Sequence, residues 1–176
     1  MNETLPSREQ ALQLLRENQC SEKVIKHCRA VTELALETSN VLKDRGLKID
    51  FALVEIGALL HDIGRSKTHT VHHALVGAKI AKSAGLPDSV VTIIKRHVGG
   101  GITAGEARKL GWPEDVYVPI TLEEKVVSYA DKLIENSKRA PIDITIAKLS
   151  GEKQYEAAKR VQKLYEEITG LIGDNP

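Results

Sequence analysis

Hydrophobic residues recur along most of the chain three, four and seven positions apart, which is the spacing of helices that bury one face. Serine, threonine and aspartate residues stand before these stretches at N-cap positions, and glycines follow several of them. Ser7 with Gln10 is one of three pairs at capping-box spacing. Four predicted helices have both ends marked, at about residues 21–45, 50–64, 72–84 and 103–111. Four more have a marked start only, at residues 7, 87, 121 and 150.

Two short stretches alternate hydrophobic with polar residues and are therefore candidates for strands, Val116–Ile120 and Ile142–Ile146. Pro119 interrupts the first and each is short, so we interpret both as loops and begin the last helix at Ser150. Gly99–Gly101 is interpreted as a flexible connection between helices, with a mobile lid as the alternative. Because the sequence has no internal repeat or low-complexity linker, we predict the all-α fold class, a single-domain helical bundle over residues 1–176.

Composition narrows the class of protein. The chain has 176 residues, of which 41% are hydrophobic and 28% charged, so it is long enough for a sizeable core and is not a disordered chain. Twenty-five Lys and Arg against 24 Asp and Glu give a net charge of +1. Dedicated nucleic-acid binders carry a basic excess, so we expect no long nucleic acid as partner, whereas a small anion held by a local basic cluster stays open.

The expected location is the cytoplasm. Cys20 and Cys28 lack the spacing of a CxxC motif and are too few for a disulfide scaffold, which fits a reducing compartment. The first residues lack the basic and apolar regions of a signal peptide. The longest apolar stretch, Phe51–Leu60, is interrupted by Glu55 and is too short to cross a bilayer, so we expect no membrane partner.

Several histidines and two aspartates fall on the hydrophobic faces of the predicted helices or at their ends. A buried carboxylate costs several kcal/mol unless it is compensated, and no equivalent set of inward Lys or Arg is visible. One such histidine would be an ordinary core residue, but six groups together indicate divalent metal, with iron, manganese, zinc, cobalt, nickel and magnesium as candidates. The six are His27, His61, Asp62, His73, His97 and Asp131.

The run Leu59-Leu60-His61-Asp62-Ile63-Gly64 resembles the signature of the HD-domain metal-dependent phosphohydrolase superfamily. An earlier His, two later His and the Asp in Ser128-Tyr129-Ala130-Asp131-Lys132 complete a pattern that spans Val24 to Ile134. The order is similar to that of two-metal members, among them bacterial diadenosine tetraphosphate hydrolases. The resemblance implies a bundle of the HD-domain type, with a metal-site core at about 21–138 and helical extensions at both ends.

The resemblance also implies roles for individual residues. The first metal would be held by His27, His61, Asp62 and Asp131, and Asp62 would bridge to a second metal completed by His73 and His97. Asp62, Arg65 and Lys67 are the expected catalytic residues, the two cations as contacts for substrate phosphate, although many relatives carry Lys where this chain has Arg65. His72 competes with His73 as a ligand, but its face continues into polar residues. Two metals that share a water lower its pKa and hold the attacking and leaving oxygens.

We therefore expect a metal-dependent phosphohydrolase, a phosphomonoesterase or phosphodiesterase, whose partner is a small phosphorylated molecule of the nucleotide class. One alternative is a non-catalytic module of the same fold that binds a nucleotide for signalling, against which the complete ligand set argues. The other is a di-iron oxygenase, which iron valence and oxygen uptake would distinguish. The identity of the substrate, the number of metals and the oligomeric state, including a homodimer, stay open.

Overall fold

The computed structural model describes residues 4–173, and in this part the fold is all-α, as predicted. Two short 3₁₀ helices, Ile63–Ser66 and Val98–Gly100, follow the third and fifth α-helices. Strands β1 (Ile134–Glu135) and β2 (Lys138–Arg139) pair antiparallel. The α-helices are α1 (Arg8–Glu17), α2 (Glu22–Asp44), α3 (Phe51–Leu60), α4 (His73–Ser83), α5 (Asp88–Arg96), α6 (Ala104–Lys109), α7 (Leu122–Lys132), α8 (Ile142–Gly151) and α9 (Tyr155–Ile172).

Five of the predicted helix starts are confirmed by side-chain capping. Ser7, Thr103 and Thr121 each form a complete capping box with the residue three positions later. Ser21 and Asp50 each accept a hydrogen bond from the backbone N–H three positions later, at the N-termini of α2 and α3. These caps satisfy N–H groups that the helices leave without an internal partner.

Three predicted boundaries are wrong. Ile142–Ile146, which we interpreted as a loop, begins α8, and Ser150 lies in the last turn of that helix instead of starting α9. Ile142, Ile146 and Leu149 are four and three residues apart and pack on the core, so a helical face was hidden behind the alternation of isoleucines. The third predicted helix ends at Leu60, not near Gly64, and the chain continues into a 3₁₀ turn.

The other two segments interpreted as connections contain no α-helix and no paired strand, although Gly99 and Gly100 belong to the second 3₁₀ turn. Val116–Ile120 is a loop, as predicted, with one isolated bridge between Tyr117 and Ile102. Gly99–Gly101 links α5 to α6, but it is packed against neighbouring backbone and not loosely exposed. No helix in residues 4–173 combines the length and hydrophobicity needed to cross a membrane.

Helix α3 is the structural centre of the bundle. It is apolar on nearly every side and contacts α1, α2, α5 and α7. One hydrophobic cluster lies mainly among α2, α3, α7 and α9, and a second lies mainly among α1, α2, α3, α4 and α5. Leu59 and Leu60 are completely buried at the end of α3, so the next two residues, His61 and Asp62, emerge between these clusters. The core therefore fixes where the polar groups that follow α3 must lie.

Candidate metal centre

The six side chains singled out in the sequence converge on one place in the fold. Four are almost completely buried, with exposed fractions of 0% for His61, 4% for Asp62, 3% for His73 and 2% for His97. His27 on α2 and Asp131 on α7 are partly exposed, at 21% and 12% of their side chains, and mark the side that solvent reaches. The six groups thus come from α2, α4 and α7 and from the residues directly after α3 and α5.

Asp62 lies at the middle of the cluster. Its Oδ1 is 3.1 Å from Nε2 of His73 and 3.4 Å from Nε2 of His97. Its Oδ2 is 3.7 Å from Nε2 of His61 and 3.8 Å from Nε2 of His27. The carboxylate therefore separates two groups of ligand atoms and offers one oxygen to each.

Asp131 completes one of these groups. Its Oδ1 is 2.9 Å from Nε2 of His27 and 3.4 Å from Nε2 of His61. We call His27, His61 and Asp131 the first half-site, whose ligand atoms all lie within 4.8 Å of one another. We call His73 and His97 the second half-site, and Asp62 contacts both.

Three of the histidine rings are held in one orientation by their own backbone. Each donates its Nδ1 hydrogen to the carbonyl oxygen three residues earlier, at 2.7 Å in every case: His61 to Ala58, His73 to Thr70 and His97 to Ile94. A carbonyl can only accept, so Nδ1 carries the proton and Nε2 is turned towards the cluster. This arrangement is typical of histidines that bind metal, where the outer hydrogen bond selects the tautomer.

The inner atoms of the cluster lack partners of their own. Nε2 of His61 and Oδ1 of Asp62 are buried without a hydrogen bond from any described residue. Nε2 of His73 lies 3.1 Å from Nε2 of His97, a contact that only a proton or a metal ion between them makes favourable, because both Nδ1 hydrogens are already donated. Imidazole nitrogens with carboxylate oxygens suit divalent first-row metals. The residues present therefore fit such an ion.

Both aspartates have a basic partner, contrary to our expectation. Nε of Arg65 donates to Oδ2 of Asp62 at 2.6 Å, and Nζ of Lys132 pairs with Oδ2 of Asp131. Helical periodicity did not reveal these cations because each lies within three residues of its aspartate and its long side chain folds back along the chain. Lys67, the other predicted phosphate contact, is exposed.

The charges in the cluster shift one another's ionisation. Burial opposes the charge on Asp62, but His61 and the neighbouring His73 and His97 hold the pKa of that carboxyl well below its usual range. Burial opposes the charge on Asp131 as well, and Lys132 and the neighbouring histidines hold its pKa well below the usual range. Both carboxylates are therefore ionised at neutral pH.

The histidines respond in opposite directions. Burial opposes protonation of His61, but Asp62 and Asp131 raise its pKa well above the ordinary value. Burial lowers the pKa of His97 to about 4, with some opposition from Asp62. The two carboxylates thus favour the charged form of His61, whereas burial favours the neutral form of His97. The cluster is a place where positive charge is favoured.

The glycine that follows His61 and Asp62 brings the next helix against them. A Cβ on Gly64 would lie 1.9 Å from the carbonyl oxygen of His73 and 2.6 Å from the amide nitrogen of Gly77. No side chain fits there, so the 3₁₀ turn and α4 meet backbone to backbone. This contact sets the distance between Asp62 and His73, and the glycine of the motif was its only signal in the sequence.

Other polar residues near the cluster have structural partners. His72 is exposed and accepts a hydrogen bond at 2.9 Å from Nε1 of Trp112, so His73 and not His72 faces the cluster. Arg96 pairs with the buried Glu124 at 2.8 Å. Ser128, which we did not single out, donates to the carbonyl oxygen of His97 at 3.0 Å from a fully buried position.

Comparison with known proteins relates this arrangement to others. A family model described as HD domain matches residues 24–136. An uncharacterized protein of Methanocaldococcus jannaschii is 46% identical over 166 residues, which is 93% of this chain and 98% of that protein. A tRNA (cytidine(56)-2'-O)-methyltransferase of Picrophilus torridus is 37% identical over 169 residues, 96% of this chain. The chain spans only 48% of that methyltransferase.

A solved structure has the same fold. The HD domain of the L. monocytogenes phosphodiesterase PgpH, in complex with cyclic-di-AMP, superposes with a TM-score of 0.55 at 18% identity. The match covers 95% of this chain and 99% of that one. At this identity the likeness concerns the arrangement of helices and not the reaction.

Proposed function

We propose that this chain, which belongs to the HD domain family, is a metal-dependent phosphohydrolase that acts on a small phosphorylated substrate. The observation that carries the proposal is Asp62, a buried carboxylate whose two oxygens face separate groups of histidine nitrogens. HD domains generally are hydrolases that bind divalent metal. We further propose that residues 1–176 act as one HD domain with helical extensions, in the cytoplasm.

The ligand atoms divide naturally between two ions. His27, His61 and Asp131 with Oδ2 of Asp62 would hold the first, and His73 and His97 with Oδ1 of Asp62 would hold the second. Divalent metal bound there supplies an activated water and charge stabilisation for phosphoryl oxygens. The chain itself orients three histidine rings through their Nδ1–carbonyl hydrogen bonds, and it keeps both carboxylates ionised.

The charge of the site favours an anionic substrate. Asp62 and Asp131 are each paired with one cation, Arg65 and Lys132, so the four charged groups cancel before any metal is counted. Each divalent ion then adds two positive charges to a poorly solvated cluster, which suits phosphate. Arg65 is 32% exposed and is the proposed phosphate contact at the entrance, with the exposed Lys67 as a weaker candidate.

We propose a nucleotide as the substrate class, cleaved as a phosphomonoester or phosphodiester. The PgpH domain, which shares the fold, is described in complex with cyclic-di-AMP, a small nucleotide. Solvent reaches the cluster beside His27, Asp131 and Arg65, whereas His61, His73 and His97 are sealed from it. The scissile phosphate would therefore enter from the first half-site.

The test is metal analysis of protein purified without chelator, followed by a phosphate-release screen across nucleotides. We expect divalent metal in the protein and turnover that is lost in Asp62→Ala. The exposed Asp44 at the end of α2 gives a matched control, and Asp44→Asn should retain activity. Nucleotide binding without turnover would favour the non-catalytic module, and oxygen uptake by iron-loaded protein would favour the oxygenase.

A second candidate function is a role in tRNA modification. It is favoured by the 37% identity that extends over 96% of this chain to a tRNA methyltransferase. The balanced charge of +1 makes tight binding of tRNA by this chain alone unexpected. Binding of tRNA at physiological salt, measured by filter retention, would support this candidate, and its absence would leave the small substrate as the proposal.

A further inference from the structure

The segment Gly99–Gly101, which follows His97, is clamped between helix α9 and the loop at Val118. Gly99, Gly100 and Gly101 have φ angles of 58°, 67° and 103°, a region that favours glycine. A Cβ on Gly100 would lie 3.0 Å from the amide nitrogen of Val161 on α9, and one on Gly101 would lie 2.7 Å from Cα of Val118. These glycines therefore permit close contact on both sides, and the segment has little room to move.

One arginine on α9 fastens this segment. Nε of Arg160 donates to the carbonyl oxygen of Gly101 at 3.0 Å, and its Nη2 pairs with Oε1 of Glu106 at 3.0 Å. Glu106 in turn caps α6 by accepting from the backbone N–H of Thr103 at 2.8 Å. The guanidinium of Arg160 thus links α9 to Gly101, before the start of α6, and to Glu106, within α6.

His97 is held from two directions as a result. Ser128 on α7 donates to its carbonyl oxygen at 3.0 Å, and Gly101, whose carbonyl oxygen Arg160 holds, lies four residues further along the chain. The first half-site has other supports, because His27 and Asp131 hold each other at 2.9 Å and Lys132 holds Asp131. Movement of the glycine segment would therefore displace the second half-site before the first.

We propose that Arg160 is a positioning residue that sets the metal affinity of the second half-site. Helix α9 lies outside residues 24–136, the part that the family model matches, so this control comes from the chain's own C-terminal extension. The inference rests on the proposed function, since it requires that the cluster binds metal. It adds that the two half-sites can be occupied separately, and that Arg160 acts on only one of them.

The experiment is calorimetric titration of the full chain with Mn²⁺. Wild-type protein should bind two ions, and Arg160→Ala should weaken the second by about tenfold while the first is unchanged, as for other residues that support metal ligands indirectly. Arg160→Lys, which retains the charge but not the fork of donors, should lie between them. The matched control is Lys159→Ala, since Lys159 is on the same helix, is exposed, and among residues 4–173 forms an ion pair with Glu156 alone.

A glycine pair tests the clamp by a second route. Gly100→Ala forces a Cβ against the backbone of α9, whereas Gly105→Ala on α6 meets nothing within 4 Å. We expect Gly100→Ala to reproduce the selective loss of metal affinity at the second half-site and Gly105→Ala to leave the affinities of both half-sites unchanged. Circular dichroism of each variant verifies that the helices remain.

The outcomes separate the inference from the proposed function. Wild-type protein that binds no metal overturns both. Three results overturn the role of Arg160 and leave the metal centre standing. They are a single bound ion in wild-type protein, equal weakening of both ions in the variants, and an unchanged affinity for the second ion in Arg160→Ala and Gly100→Ala. Only selective weakening of the second ion supports it, because a merely structural contact would not distinguish the two half-sites.

Discussion

Replacement of Asp62 by asparagine should remove most of the stabilisation that metal confers on the fold. The substitution preserves the shape of the side chain at a position that is 4% exposed, but it removes the negative charge that both half-sites share and replaces one of the two ligand oxygens by an amide nitrogen. Loss of partners that merely orient metal ligands already costs 10–100-fold in affinity, so loss of the shared carboxylate should cost about 100-fold.

The magnitude follows from mass action. Free metal at about 1,000 times its dissociation constant stabilises the wild-type protein by about 4 kcal/mol. A dissociation constant about 100-fold higher leaves about 1.4 kcal/mol at the same metal concentration. For a chain of this length, each kcal/mol moves the melting temperature by about 2–4 °C, so the metal-induced shift falls from about 8–16 °C to about 3–6 °C.

The assay is thermal unfolding followed by circular dichroism, with Mn²⁺ and with chelator, for wild type and Asp62→Asn. Each variant serves as its own reference, so a change in metal-free stability cancels. Asp44→Asn, at an exposed position, should keep the full shift. Both proteins should keep their helical signal in chelator at room temperature, because the two main hydrophobic clusters do not depend on metal. An Asp62→Asn shift equal to that of wild type would refute the reasoning.

Three further predictions follow from the same geometry. Gly64→Ala should cost about 3 kcal/mol or more in free energy of unfolding, because its Cβ would lie 1.9 Å from the carbonyl oxygen of His73. Denaturant titration checks this, and the control is Gly170→Ala, which lies in open space within α9 and should not destabilise the fold. Arg65→Ala should raise KM for the best substrate, and elemental analysis should find the same metal content when metal is saturating, so that the lost hydrogen bond to Asp62 does not empty the site. Affinity for Mn²⁺ should rise with pH through the raised pKa of His61, since its proton must leave before metal binds; an affinity independent of pH would contradict this.

Much of the fold could be predicted from local chemistry. Capping residues such as Ser21 and Thr121 occupy the helix starts that their side chains indicated, because an N-cap is a local interaction. Helix α8 was missed because its isoleucines also alternate, and only packing against the core decides between the two periods. His73 was preferred to His72 because the helical face of His72 continues into polar residues, and the structure places His73 inward.

The parts of the site that could not be predicted depend on contacts between distant or folded-back side chains. Arg65 and Lys132 pair with aspartates on their own segments, where helical spacing gives no indication of direction. Arg160 contacts Gly101, 59 residues away, and only the tertiary arrangement creates that hydrogen bond. The composition of Gly99–Gly101 suggested flexibility, whereas its contacts show that glycine is needed there for close packing.

The central claim is that Asp62 lies between two bound metal ions, and anomalous diffraction from crystals grown with Mn²⁺ tests it most directly. The account predicts two anomalous peaks, one beside each oxygen of the Asp62 carboxylate, at about 2.0–2.3 Å from the Nε2 atoms of the two half-sites. Absence of any peak in protein saturated with Mn²⁺, or peaks only at surface carboxylates away from Asp62, would contradict it.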